Sequence, residues 1–385
     1  MFDFSMTDEQ RSVVEVSRAF VTHELRPHEE ELEQTGALRP DLAAEIRTKA
    51  LTAGLYAANM PEEVGGAGLD AVTLVLFEKE LGKTSYALQY TCVARPSNIL
   101  LAGSAEQRER YLVPCVRGER VECLAMTEPE AGSDVRAIRT RAAREGDGWR
   151  IRGTKHFISH ADESDFVILL ARTGTDEAGR GTMSTFLVDM DTPGVHRRNG
   201  YRSVSHRGYT NSILDFEDVH VPGDALLGEE GQGLALAGEW LSATRLQVAA
   251  TCLGRAERAL DLSKAHAATR EQFGQPIGRF QGVAFKLADM ATEIRAAELV
   301  TLHAAWKVDQ GTAADADIAM AKLKATETLA MVADEAIQIH GGMGLMDELP
   351  LERIWRDARI ERIWDGTSEI QRHIISRSLL RPLGA

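Results

Sequence analysis

Apolar positions along the chain change period twice. Thr7 and Gln10 have capping-box spacing, and Val13, Val16 and Phe20 then recur on one helical face. Helical periodicity continues to about residue 120, broken by the glycine-rich stretch Pro61–Gly68. That stretch lacks dinucleotide-fingerprint spacing, because Ala71 stands where a third glycine is needed. From about residue 121 to 225 the period becomes two. Trp149–Gly153, Phe166–Ala171, Thr185–Asp189 and Ile213–Phe216 read as strands between Gly, Asp and Pro turns, as in a compact β-barrel or sandwich. After Gly233 the helical period returns, with helices expected over 234–270, 281–310, 315–340 and 350–381, the first and last open to interruption. Four long amphipathic helices with short links make an antiparallel bundle. The expected organisation is a mainly α chain with a β middle: a helical domain over 1–120, a β-barrel over 121–228 and a helical bundle over 229–385.

Composition narrows the function classes. The 385 residues are 44% hydrophobic, enough for a sizeable core, and carry 44 basic against 58 acidic side chains, a net charge of −14. Such an acidic chain is a poor match for nucleic acid, whose binding needs cations that replace phosphate counterions. No apolar run approaches a membrane span, so no membrane insertion is expected. The opening residues lack the basic-then-apolar pattern of a signal or transit peptide, and Cys92, Cys115, Cys123 and Cys252 form no Cys-x-x-Cys pair. Reduced thiols and a cytoplasmic location are expected. His156 and His160 have no further ligands at workable spacing, so no metal site is expected.

The most informative stretch is Trp364–Gln371. Asp365-Gly366 makes a tight turn, and Ser368 with Gln371 has the spacing of a capping box opening the last helix. A carboxylate on such a turn is either a fixed base or a turn-former. Around Thr127 and Ser133 the sequence reads either as a ligand-facing polar loop or as an ordinary capped turn. Arg270 is either a pyrophosphate fork or a surface partner of Glu271 or Asp289.

Five segments, in this order and at these separations, resolve those choices: 123–134 (CLAMTEPEAGSD), 154–159 (TKHFIS), 270–281 (REQFGQPIGRFQ), 338–344 (QIHGGMG) and 364–371 (WDGTSEIQ). Together they resemble the acyl-CoA dehydrogenase family over essentially the whole chain. The resemblance implies an N-terminal helical domain, a middle β-barrel and a C-terminal four-helix bundle. It also implies an FAD cofactor, a homotetramer built as a dimer of dimers, and an electron-transferring flavoprotein as acceptor. Thr127, Phe157 and Ser159 would meet the flavin ring, and Ser133 would lie between flavin and coenzyme A. Arg270, Phe273, Gln281, Gln338, Gly341 and Gly342 would form the adenosine–pyrophosphate site, with Arg270 reaching into the neighbouring subunit. Thr367 and Glu369 complete the cofactor set. Thr244, Arg245 and Gly366 would contact the substrate on the thioester side, and Asp365 would abstract the α-proton while the β-hydrogen leaves as hydride.

Two positions depart from the family pattern, Asp365 and Arg95. Asp365 stands where a glutamate is usual, one methylene shorter and set back by ~1.5 Å. The other known base position corresponds to Thr244, which cannot serve. Arg95 is the only charge between Thr84 and Ala105, in a segment that lines the far end of the acyl pocket in the family. Pro96 after it implies a kink in a buried helix. The arginine's partner would be a polar group on the acyl chain, a protein acid such as Asp365, or water. A short, branched, cyclic or polar acyl group is therefore expected rather than a long fatty one. An enoyl-CoA reductase or desulfinase on the same scaffold remains an alternative, and a flavin-bound nucleic-acid-associated relative a more remote one.

Overall fold

In a computed structural model, residues 5–175 and 179–383 are described. The first helical region holds α1 (Asp8–Phe20), α2 (Glu29–Thr35), α3 (Pro40–Thr52), α4 (Ala71–Leu81), α5 (Tyr86–Cys92), α6 (Ala105–Gln107) and α7 (Val113–Val116). The expected capping box opens α1, with Thr7 and Gln10 bonded reciprocally. Around Arg95 the chain differs from a kinked helix. Helix α5 ends at Cys92 and residues 93–97 are not helical, because a residue before proline is driven out of αR and the helix stops before it.

The middle region is a sheet of β1 (Glu122–Ala125), β2 (Arg141–Glu145), β3 (Gly148–Ser159), β4 (Phe166–Thr175), β5 (Gly181–Asp189), β6 (Val195–Asn199), β7 (Asn211–Val221) and β8 (Leu226–Leu227). Its order is β6-β7-β3-β2-β4-β5-β8, with β1 parallel to β4. The expected barrel does not close. Edge strand β6 is mostly exposed and carries His196, Arg197 and Arg198, while β8 is only two residues long, so neither edge offers a surface to pair. Strand β4 is buried on both faces, which explains its unbroken apolar run. Phe166 and Ile168 pack into the helical core, whereas Val167 and Leu169 face the sheet's own core.

The last region holds α8 (Gly233–Thr269), a ribbon of β9 (Glu271–Gln272) and β10 (Gln275–Pro276), α9 (Gln281–Asp309), α10 (Asp315–His340), α11 (Leu351–Glu361) and α12 (Ser368–Leu380). Helix α8 is unbroken over 37 residues. It crosses α4 so closely that a Cβ on Gly254 would meet Lys79 O at 2.0 Å and one on Gly82 would meet Thr251 O at 2.3 Å. Helix α10 is central, packed against α8, α9, α11 and α12 through an alanine-rich core.

The expected helix over 350–381 breaks where Asp365 (φ 52°) and Gly366 (φ 94°) are successively left-handed, a geometry no right-handed helix accommodates. The cap of α12 is not the expected Ser368 box. Thr367 remains extended and accepts from Ile370 N, and Ser368, already helical, bonds Glu327 instead. The two-residue turn ends one position earlier than the box requires.

Candidate active site

Three helices converge on the Asp365 turn. Lys322 of α10, fully buried, donates from Nζ to Trp364 O and Gly366 O, both at 2.7 Å. Arg245 of α8 donates from Nε to Asp365 O at 2.9 Å, and Gln371 of α12 donates to Gly366 O at 2.8 Å. Three consecutive carbonyls are thus fixed, and with them the direction of the Asp365 side chain. Burial pushes the Asp365 carboxyl up to about 6, while the Lys322 and Arg245 cations pull it down and Glu361 pushes it further up. Glu361 is itself buried, but Arg255 and His206 outweigh the burial and hold it at about 2. Its oxygens meet Arg255 Nη1 at 2.6 Å, His206 Nε2 at 2.9 Å and Trp364 Nε1 at 2.9 Å. Asp365, without such donors, is the carboxylate of this pair able to exchange a proton near neutrality.

A cavity of about 740 Å³ lies against the same stretch of α8. Thr244, Arg245, Arg95 and Glu78 are all among its lining residues. Asp365 does not itself line it; its loop is tied to the wall through Arg245. Of the partners open to Arg95, a protein acid is the one found, and it is Glu78 rather than Asp365. The buried guanidinium forks onto the Glu78 carboxylate through Nε and Nη2. Burial pushes the Glu78 carboxyl up and Arg95 opposes it, and a guanidinium so bound stays charged.

On the sheet, β3 shifts register between Lys155 and Ile158, and this bulge sets Phe157 at φ 57° with its ring 58% exposed. Lys155, fully buried beneath it, donates to Met126 O and Glu128 Oε1, both at 2.9 Å. His156 N donates to Thr127 O at 2.9 Å. The Thr127 loop is thereby pinned from both sides to the strand carrying Phe157 and Ser159. Ser133 lies exposed further along that loop. An aromatic cluster joins this strand to the Asp365 turn: His160 stacks on Tyr90 at 4.0 Å, Tyr209 packs edge-on against His160 at 4.5 Å, and Tyr86 and Tyr209 meet Trp364 at 5.1 and 5.9 Å.

The remaining predicted residues gather elsewhere. Phe273 and Gly274 form the two-residue turn of the β9–β10 ribbon, both left-handed, with Phe273 93% exposed. Arg270 makes no side-chain hydrogen bond or ion pair with any described residue, so the expected alternative of Glu271 or Asp289 is not taken. His266 stacks on His340 at 4.2 Å, bringing the Arg270 segment beside Gln338, Gly341 and Gly342. Gln281 opens α9 nearby, exposed like Gln338. Thr367 caps α12, and Glu369 lies exposed on its first turn. Sequence reasoning missed Lys322, Lys155, Glu78, Tyr86 and Tyr209. Lys155 lies inside the 154–159 segment but was given no role of its own, and the other four lie inside ordinary helical patterns or beside a turn, with no local motif.

Residues 7–119, 123–219 and 231–380 match the N-terminal, middle and C-terminal domains of acyl-CoA dehydrogenase. The chain is 38% identical over 385 residues to the probable acyl-CoA dehydrogenase YngJ of Bacillus subtilis, covering 98% of this chain and 100% of that one. The chain belongs to the acyl-CoA dehydrogenase family. Its structure superposes on butyryl-CoA dehydrogenase from Megasphaera elsdenii with a TM-score of 0.90 at 33% identity, covering 99% and 100% of the two chains. It superposes on the FAD complex of PigA with a TM-score of 0.92 at 30% identity, covering 98% and 99%. Acyl-CoA dehydrogenases are FAD-dependent oxidoreductases acting on acyl-CoA, and the residues present fit that cofactor. Phe157 offers an exposed ring, Arg270 an uncommitted guanidinium, and Gly341 and Gly342 open space where a Cβ would meet nothing within 4 Å.

Proposed function

We propose that this acyl-CoA dehydrogenase uses Asp365 to remove the α-proton of a short, branched, cyclic or polar acyl-CoA. The observation carrying this reading is the Asp365 turn itself. A carboxyl raised to about 6 sits on a backbone pinned by Lys322 and Arg245, beside the wall that carries Thr244. Bound FAD would supply a hydride acceptor for the β-hydrogen. Thr127, Phe157, Ser159, Thr367 and Glu369 would hold its flavin half, and Arg270, Phe273, Gln281, Gln338, Gly341 and Gly342 its phosphates and adenosine. Ser133 and Arg245 would meet the coenzyme A thioester. The N–H of Asp365 would hold the thioester oxygen as negative charge develops there. Because Asp365 is a methylene shorter than glutamate, the acyl group must approach closely, which favours a compact substrate.

Arg270 is far along the chain's longest helix from Arg245, which holds the Asp365 turn. Arg270 follows Arg245 along α8 by roughly 37 Å at 1.5 Å per residue. A five-carbon ribityl arm with a pyrophosphate is about nine bonds long and reaches at most roughly 13 Å at ~1.5 Å per bond. This supports a site completed by a second copy of the chain, within a homotetramer. We further propose an electron-transferring flavoprotein as acceptor and a cytoplasmic location. The four cysteines, all buried and unpaired, are in keeping with a reducing compartment. Residues 1–120, 121–228 and 229–385 are proposed as the three domains.

Anaerobic titration of the holoenzyme with short, branched and cyclic acyl-CoA thioesters should bleach the bound flavin. Asp365→Asn should keep its flavin and lose bleaching by at least about a thousandfold, in the range general-base loss produces. An Asp365→Asn protein that reduced its flavin at the normal rate would remove Asp365 from the base role.

A further inference from the structure

The lining of the 740 Å³ cavity carries a charge pair with no net charge, Arg95 with Glu78. Arg95 has five N–H donors. Nε and one Nη2 hydrogen go to Glu78, and the second Nη2 hydrogen goes to Gln89 Oε1 at 3.3 Å. Gln247 also lines the cavity, and its oxygen, oriented toward Arg95 by the hydrogen-bond network, accepts one Nη1 hydrogen at 3.1 Å and shares the single Nε hydrogen with Glu78 at 2.8 Å. One Nη1 hydrogen is left. The same cavity is lined by Asn59, Ser97 and Asn98, whose side-chain oxygens have no hydrogen-bond partner among the described residues.

Three kinds of acyl tail could meet such a wall. A carboxylate would be a second anion competing with Glu78 for one guanidinium, in a low-dielectric place where like charges are not tolerated. An alkyl tail would strip water from Arg95, Glu78 and the three oxygens and return no hydrogen bond. An uncharged group that both donates and accepts would take the remaining Nη1–H and give its own hydrogens to the oxygens. We infer that the Glu78–Arg95–Gln247 cluster selects an acyl group bearing an uncharged donor–acceptor group, of the carboxamide or hydroxyl class, at its far end. This rests on the acyl-CoA reading of the same cavity.

The test compares three tails of matched shape on the holoenzyme: dicarboxylic half-amide thioesters, the corresponding ω-carboxyl thioesters and branched-alkyl isosteres, at spacer lengths from succinyl to adipoyl. Butyryl-CoA serves as a reference for the dehydrogenation itself. The half-amide should win by about tenfold or more in kcat/KM at its best length, because the site loses paired groups with either competitor. Preference for the carboxylate, preference for the alkyl isostere, or equal rates would each overturn the inference while butyryl-CoA bleaching left the dehydrogenase reading standing. Bleaching by no thioester at all would overturn both. Glu78→Gln provides a second measurement. It leaves Arg95 uncompensated, so the ratio of carboxylate to half-amide kcat/KM should rise about tenfold. An unchanged ratio would show that Glu78 does not set the charge of this wall.

Discussion

Asp365 holds a left-handed backbone conformation that costs of order 1 kcal/mol, and its surroundings fix that choice. The same surroundings set its proton affinity. Burial raises the carboxyl from 3.8 to about 6 against the pull of Lys322 and Arg245. The base form therefore accumulates above about pH 6, and kcat/KM should rise with pH to a plateau with its midpoint near 6. Folding stability runs the other way. Between roughly pH 4 and 6 the folded chain binds the proton that the unfolded chain has lost, so this group's contribution falls as pH rises, and Asp365→Asn should abolish that slope. Lys322→Met tests the clamp. It removes a cation that favours ionised Asp365, so the kinetic midpoint should move upward. It also leaves the Trp364 carbonyl unpaired, while Gly366 O keeps Gln371, and urea unfolding should show a loss of about 1–3 kcal/mol. A midpoint that stayed near 6 would show that Lys322 acts only on the backbone. Asp365 and Arg245 were singled out in the sequence because each belongs to a short local pattern, and the fold brings the two together. Lys322 was not, since a lysine on an alanine-rich helix reads as a solvated face until the fold puts it at the centre of the bundle.

At the scale of elements, two irregularities do the positioning. The β3 bulge turns Phe157 outward, and the break between α11 and α12 presents Asp365. Gly366 has little room at that break: a Cβ would stand 2.8 Å from Gln371 Nε2 and 3.1 Å from Arg245 Nη2, at φ +94°. Gly366→Ala should therefore lower stability by about 1–2 kcal/mol through the left-handed penalty. By displacing Arg245 from Asp365 O it should lower kcat about tenfold or more, since a small misplacement of a reacting group is costly. Thermal melts and single-turnover flavin reduction would measure the two effects separately. The helices of the bundle were legible nearly to the residue because their apolar period is long. The cap of α12 was read one position late, because a spacing rule does not say where a preceding turn ends. The open sheet was read as a barrel because closure depends on which edges meet, and neither edge strand, β6 (VHRRN) nor the two-residue β8, carries an alternation that marks it in the sequence.

At the scale of the molecule, α8 is the element that ties the two candidate clusters together and also keeps them apart. Arg245 sits at the Asp365 turn, and Arg270 lies past the helix end beside Gln338, Gly341 and Gly342. If each site takes its Asp365 side from one copy and its Arg270 side from another, two inactive variants can repair each other. Asp365→Asn lacks the base but donates a sound Arg270, whereas Arg270→Ala lacks the guanidinium but keeps a sound Asp365. In a mixed dimer one site would carry both defects and the other neither. Random co-assembly from equal amounts should thus restore about one site in four for a two-fold interface. Each variant alone should be near zero, with Arg270→Ala also losing flavin on dialysis because the pyrophosphate loses a bidentate partner. The measurement is turnover after co-refolding or co-expression, set against a simple mixture of the separately assembled variants. Recovery only on co-assembly would mean that the exposed Phe273 ribbon and the Arg270 segment serve a neighbouring copy. No recovery, with both variants assembled to the wild-type size, would mean that the cofactor is held within one chain and that the ~37 Å separation along α8 has to be bridged some other way.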